Sequence, residues 1–294
     1  CNIDRAERNG FCGVESIVLS RVAPHMWEEP PISGTKGSGT VFFAGCNLRC
    51  RFCQNYDITV KPHGVAVTPQ RLADVFLYLC DTGVANINLV TAAQVSDKVA
   101  EALALVKHKL TLPVVYNTSS YETVDAIRRL DGLVDVYLPD LKFCDSELSN
   151  RFANAPDYFD VATAAIAEMK RQQPTNVYDG DGYIKRGLIL RHLVLPAHVE
   201  DTKRVLDWVV HFCPTTTVSL MSQYFVARHD DKYLELNRKL YKREYEAARE
   251  YFFNVGLSDG FCQDPSSATV DYLPNFIDGD VSELLNIVPH VIDK

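Results

Sequence analysis

Cys46, Cys50 and Cys53 stand in the spacing C-x3-C-x2-C within Gly45-Cys46-Asn47-Leu48-Arg49-Cys50-Arg51-Phe52-Cys53-Gln54-Asn55. Three thiolates this close together suit three irons of a [4Fe–4S] cluster, which ordinarily takes four cysteines. The remaining iron then keeps an open site where a small molecule can bind and react. Structural zinc is the competing reading. It needs four closed ligands, usually in C-x2-C pairs, and the fourth here would be His63 or something more distant. A disulfide framework fits less well, because three clustered cysteines leave one unpaired.

Other polar residues sit at the ends of apolar runs. Thr91 follows Asn88-Leu89-Val90, and Asn117, Thr118 and Ser119 follow Leu112–Tyr116. Ser119 also has a purely structural role open to it, as a helix cap with Glu122 in capping-box spacing. Asp140 and Lys142 are two apart, so on an extended chain they share a face. They can pair with each other or serve a bound molecule. Arg191 lies inside an apolar run and must be paired or face a polar cavity. His192 points the other way, as a satisfied core histidine would. Ser222, Gln223 and Tyr224 close a further run as possible substrate contacts.

These residues need a scaffold that brings strand ends together. Short β-branched runs alternate with amphipathic helical stretches. Strands are expected at 40–44, 86–90, 112–117, 133–138, 187–194 and 218–221. Thr68 with Pro69 marks a helix start, followed by Leu72, Val75, Phe76 and Leu79 at helical spacing. Val95, Val99, Ala102, Leu103 and Val106 mark the next helix. Tyr158, Val161, Ala165, Ile166 and Met169 mark another, and a long one is expected over 237–253. Six βα units in series predict a parallel sheet curled into a partial (β/α)6 barrel, an α/β fold. The active site then gathers at the C-terminal strand ends, where the cysteine loop falls. Residues 1–39 read as an irregular N-terminal cap and 40–225 as the barrel core. Residues 226–294 read as a C-terminal helix and tail, and 172–187 as a polar loop.

Composition narrows the class. At 294 residues with 47% hydrophobic side chains the chain can bury a substantial core. A net charge of −8 argues against a nucleic-acid partner, which needs a basic face. No apolar run approaches a membrane span, and no signal peptide is visible. Nine cysteines are too sparse for a disulfide scaffold and suggest a reducing cytoplasm. The chain opens on Cys1, which points to upstream residues lost by trimming or processing. Cys80, Cys144, Cys213 and Cys262 read as small buried hydrophobes.

Residues 33–57, from Ser33-Gly34-Thr35-Lys36-Gly37-Ser38-Gly39 through the three cysteines to Tyr56-Asp57, resemble the cluster loop of radical S-adenosylmethionine (radical SAM) enzymes. They are most similar to the subgroup related to pyruvate formate-lyase activating enzymes. The likeness continues at Arg191-His192-Leu193-Val194-Leu195-Pro196 and Gln223-Tyr224-Phe225. It implies a partial TIM-like barrel carrying a [4Fe–4S] cluster on Cys46, Cys50 and Cys53. S-adenosylmethionine would be held by Thr91, Asn117, Ser119, Asp140, Lys142, Arg191 and Gln223, with Arg191 on its carboxylate and Asp140 on its ribose. The family's Gly-Gly-Glu-like motif after the second strand is missing: Thr91 is followed by Ala92-Ala93-Gln94. The resemblance further implies an external one-electron reductant of flavodoxin or ferredoxin type, and hydrogen abstraction from a glycine in a partner polypeptide. Modification of a small molecule or peptide is the alternative, as is a non-catalytic iron–sulfur electron-transfer or binding protein. Cys1 and Cys12 resemble the remains of a second metal site, or are ordinary cysteines of an arm.

Overall fold

A computed structural model describes residues 10–263, 276 and 281–292. Among these residues ten strands run in chain order. These are β1 (Ile17–His25), β2 (Ser38–Phe43), β3 (Val65–Val67), β4 (Ile87–Val90), β5 (Val114–Thr118), β6 (Val136–Pro139), β7 (Val177–Tyr178), β8 (Ile184–Leu193), β9 (Thr217–Met221) and β10 (Gly260–Cys262). They form a sheet in the order β10-β9-β8-β6-β5-β4-β2-β1-β3, with β7 pairing β8. All contacts from β2 through β4, β5, β6, β8 and β9 to β10 are parallel. The architecture is α/β, a partial barrel whose sheet does not close. The six expected strands are β2, β4, β5, β6, β8 and β9.

The helices form where the apolar spacing placed them. Pro69–Cys80 is capped by Thr68, whose side chain accepts from the Arg71 N–H, and it buries Leu72, Val75, Phe76 and Leu79. Ser96–Val106 buries Val99, Ala102, Leu103 and Val106, and Tyr158–Gln172 buries Ala162, Ala165, Ile166 and Met169. The long C-terminal helix starts later than expected, at Lys242, and runs to Asn254.

Four expectations are corrected. The stretch 1–39 is not irregular throughout, because β1 occupies nine of its residues and pairs antiparallel with β2. The polar loop 172–187 contains β7 and the start of β8. Asp179 Oδ1 accepts from the N–H groups of Asp181 and Tyr183 at its turn. This hairpin lies at the N-terminal end of β8, so it cannot cover a site at the C-terminal strand ends. Ser119 and Glu122 form no capping box. The helix Val124–Arg128 is capped by Thr123, and the Glu122 carboxylate accepts from the hydroxyls of Tyr116 and Thr118. Finally, the chain past Gly256 adds a seventh parallel strand, β10. Further on, Asp74 accepts from the N–H groups of Val291 and Ile292 and so ties the C-terminal residues to the helix Pro69–Cys80.

The segment between β1 and β2 fills the barrel. Ile32 is fully buried among Val115, Val136, Leu138, Ile184 and Ile189. Alternation along each strand puts Asn117, Asp140 and Arg191 on that same inner face. Burying an apolar side chain such as Ile32 contributes roughly 1.5–3 kcal/mol. Tyr183 holds the lower end of this plug, its hydroxyl accepting from the N–H groups of Thr35 and Lys36.

Candidate active site

Cys46, Cys50 and Cys53 all line one cavity of about 220 Å³. Thr91, Asn117, Ser119, Asp140, Lys142, Arg191 and Gln223 line it too, so every candidate ligand is brought together at the C-terminal strand ends. The loop that carries the cysteines is fixed at several points. Gly45 turns at φ 78°, where a Cβ would stand 2.6 Å from the Cys12 carbonyl oxygen, so only glycine fits. The Gly45 N–H donates to Ile58 O (2.8 Å) and the Arg51 N–H to Phe152 O (2.7 Å). Phe52 is buried edge-on against Phe143, with ring centroids 5.9 Å apart.

The donor set fits an iron–sulfur cluster. Burial pushes all three thiols up, Cys46 to about 11, so they ionise only against strong positive charge such as iron supplies. Among the described residues no three His, Cys, Asp or Glu side chains converge as ligands of a single ion. A cluster needs no such convergence, since each thiolate meets a different iron. Cys12 contributes nothing here. It is fully buried, with its thiol directed at Val14 O, and Cys1 lies outside the described residues.

Facing the cysteines is a buried ionic array. Arg191 donates from Nε to Asp140 Oδ1 (2.8 Å), from Nη1 to Glu28 Oε2 (3.3 Å) and from Nη2 to Asn117 Oδ1 (2.5 Å). Lys142 Nζ donates to Asp140 Oδ2 (2.5 Å). The amides of Asn88 and Asn117 both donate to Glu28 Oε1. Burial alone would raise Asp140, but Arg191 and Lys142 outweigh it and hold the carboxyl below its usual range. Burial dominates at Glu28 and Glu29 and raises both despite Arg191. Three carboxyls thus face two cations, and the array is neutral when one proton stays on the Glu28–Glu29 pair.

Sequence reasoning missed Glu28. Its only local mark is the Glu28-Glu29-Pro30-Pro31 run, which starts the short helix Pro30–Ser33. Nothing local says that this turn threads into the barrel. Trp27 and His25 line the same cavity. Of the three residues after β9, only Gln223 faces it. Ser222 is buried with its hydroxyl toward Gln263 O, and the Tyr224 hydroxyl donates to Leu236 O. His192 is the satisfied core histidine expected, bonded to Leu141 O and Thr202 Oγ1. Thr91 turns the chain at φ 61°, a left-handed conformation unusual for a β-branched residue. Gln94 stabilises that turn by donating to Thr91 O and Ala44 O, which gives the atypical Ala92-Ala93-Gln94 a structural role.

A parallel partial barrel thus carries a three-cysteine loop after its first parallel strand, opposite a polar array on the neighbouring strand ends. The sequence profile of the radical SAM superfamily matches residues 40–183. An uncharacterized protein of Methanocaldococcus jannaschii, MJ0674, is 30% identical over 258 residues, which is 85% of this chain and 71% of that protein. The chain belongs to the radical SAM superfamily, whose members use a [4Fe–4S] cluster and S-adenosylmethionine. Its fold is similar to that of Streptococcus suis SuiB, with a TM-score of 0.50, 13% identity and 75% of this chain covered. The chain spans about half of SuiB, 47% of its length. The structure of SuiB bound to S-adenosylmethionine matches with a TM-score of 0.46 and 12% identity, over 74% of this chain and 48% of that one. No helix among the described residues is long and apolar enough to cross a membrane.

Proposed function

We propose that Cys46, Cys50 and Cys53 hold the cluster and that the facing array binds S-adenosylmethionine for hydrogen abstraction from a polypeptide. The observation that carries this reading is the single cavity shared by the three thiols and by Asp140, Lys142, Arg191 and Asn117. When bound, cluster and S-adenosylmethionine together supply a one-electron cleavage to methionine and a 5′-deoxyadenosyl radical, which takes a hydrogen atom from the substrate.

The chain's own residues bind and orient. Arg191 already bonds Asp140, Glu28 and Asn117, so it holds these side chains in place rather than offering a free fork to a carboxylate. Lys142 gives Asp140 one of its three donors and lines the cavity, so it is the cation that meets the methionine carboxylate. Asp140, kept ionised by its two cations, accepts from the ribose hydroxyls. Thr91, Ser119 and Gln223 supply polar atoms around the adenosyl and methionyl groups. Phe42, Val90 and Phe52 give the cavity apolar walls that limit water.

The polypeptide substrate is supported by Trp27, which lines the cavity yet is 55% exposed. Large exposed side chains at a reaction cavity suit a docking chain. A glycine of a partner enzyme, as in activating enzymes, is the substrate this reading names.

The test is anaerobic. Reconstituted protein with S-adenosylmethionine and reductant should yield 5′-deoxyadenosine and methionine in equal amounts. Stoichiometric zinc without an iron chromophore would refute the cluster. For the substrate, proteins from cells grown on Cα-deuterated glycine should pass deuterium into 5′-deoxyadenosine. Deuterium arriving only from the low-molecular-mass fraction would refute the polypeptide reading.

A further inference from the structure

A second cavity, of about 610 Å³, lies behind the cysteine loop. Cys50 lines both this cavity and the first, so it forms part of the wall between them. Among the described residues five cations line the second cavity, Arg49, Arg51, Arg151, Arg228 and Lys232, and no carboxylate does. This is unexpected on a chain whose net charge is −8. Among the described residues two of the five have carboxylate partners: Arg51 pairs with Asp230 (3.2 Å) and Arg151 with Glu235 (2.7 Å). The others are held by neutral groups. Arg49 donates to Phe11 O and lies 4.8 Å over the Phe11 ring. Arg228 donates to the Tyr56 hydroxyl and lies 4.3 Å over that ring, and Lys232 stands 5.0 Å over Tyr233. Neutral aromatic partners fix these cations in place without cancelling their charge.

We propose that this basic cavity is the docking site of an acidic one-electron donor protein, and that the electron enters past Cys50. The proposal rests on the reading of Cys50 as a cluster ligand. In the transfer the donor's flavin or iron–sulfur centre loses one electron and the cluster gains it, with no bond made or broken in this chain. The first cavity is the place for S-adenosylmethionine and substrate, so a donor must approach from another side, and the second cavity is the side that reaches a cluster cysteine. An acidic donor meeting an acidic chain is repelled overall. A local positive field around the entry point reverses that repulsion and orients the encounter. The cations come from three separate parts of the chain, around Cys50, in the helix Ser146–Ala153 and after β9, and they frame Phe11, which is 46% exposed. Arginine and aromatic residues spread in this way suit a protein surface rather than one small anion.

The test compares the wild-type holoenzyme with the double variant Arg228→Glu, Lys232→Glu. At low salt, the second-order rate of cluster reduction by fully reduced flavodoxin should fall about tenfold or more in the variant. The dissociation constant for oxidised flavodoxin, read from flavin fluorescence, should rise in parallel. Added salt should slow the wild type toward the variant. Reduction by the methyl viologen radical cation, which needs no basic site, should be undiminished, as should the 5′-deoxyadenosine it supports. Equal flavodoxin rates and affinities would overturn the proposal. Loss of viologen reduction in the variant would also overturn it, by showing that the two residues merely hold the cysteine loop. Saturable binding of inorganic pyrophosphate, with flavodoxin unaffected by the charge reversal, would reassign the cavity to a small anion. A viologen-reduced wild type that cleaves no S-adenosylmethionine would refute the proposed function, while the flavodoxin titration still decides the docking.

Discussion

Replacing Arg191 with methionine removes a guanidinium bonded at once to Asp140, Glu28 and Asn117. Asp140 keeps Lys142 at 2.5 Å, but Glu28 is left with two amide donors and no cation. The side chains are nearly enclosed, 13% exposed for Arg191 and 11% for Glu28, so water cannot replace the lost partner. Breaking a buried pair in this way costs about 3–5 kcal/mol. That is a large share of the roughly 5–15 kcal/mol that holds a protein folded. Glu28→Gln alone loses one charge-assisted bond but also relieves a carboxyl that burial already disfavours, and should cost about 1–3 kcal/mol. With both changes no carboxylate is orphaned at position 28. The double variant should therefore be more stable than the sum of the singles by about 1–3 kcal/mol. The assay is urea unfolding of the reconstituted proteins, followed by circular dichroism and cluster absorbance, whose transitions must coincide. Additivity within about 0.5 kcal/mol would refute the claim that Glu28 and Arg191 act as a pair. In the same proteins iron content should be retained, and S-adenosylmethionine affinity should fall further in Lys142→Met than in Arg191→Met. The reverse order would return the carboxylate to Arg191.

Cys50→Ala should abolish 5′-deoxyadenosine formation and cut bound iron severely, by iron assay and turnover, because one of three ligands is gone. Gly45→Ala should lower the melting temperature by several degrees and reduce cluster incorporation. Its φ of 78° costs about 1–2 kcal/mol for any other residue, at about 2–4 °C per kcal/mol, and its Cβ meets the Cys12 carbonyl. Burial holds His192 below its ordinary value of 6.5, so the unfolded chain takes up a proton first as pH falls. Stability from this residue is present above pH 6.5 and declines as pH falls from there toward the folded value, by at most about 1.4 kcal/mol per pH unit. His192→Gln should give a shallower loss of urea midpoint between pH 7.5 and 5.5.

The strands and their chemistry differ in how far they can be read locally. Parallel strands buried on both faces are continuous apolar runs, so β2, β4, β5, β6, β8 and β9 stand out in the sequence. β1 does not, since Arg21, Pro24 and His25 interrupt its pattern and its pairing with β2 is what makes it a strand. β10 is three residues long and exists only against β9. The helix cap at Thr68 is a local bond and was legible. The capping box of Ser119 and Glu122 was legible too and did not form, because Tyr116 and Thr118 offer the Glu122 carboxylate two hydroxyls at close range.

Within the site the same division holds. The cysteine spacing is a local property and by itself favours an open-iron cluster over structural zinc. The spacing of Asp140 and Lys142 put both on one face, and they do share the cavity. The Arg191 partners could not be read, because Glu28 lies 163 residues away along the chain and reaches Arg191 only through the barrel interior. Alternation says which residues point the same way along one strand. Only the curling of strands around the Glu28–Ile32 plug decides which charges meet, since buried charges take the partners that three-dimensional packing leaves within reach.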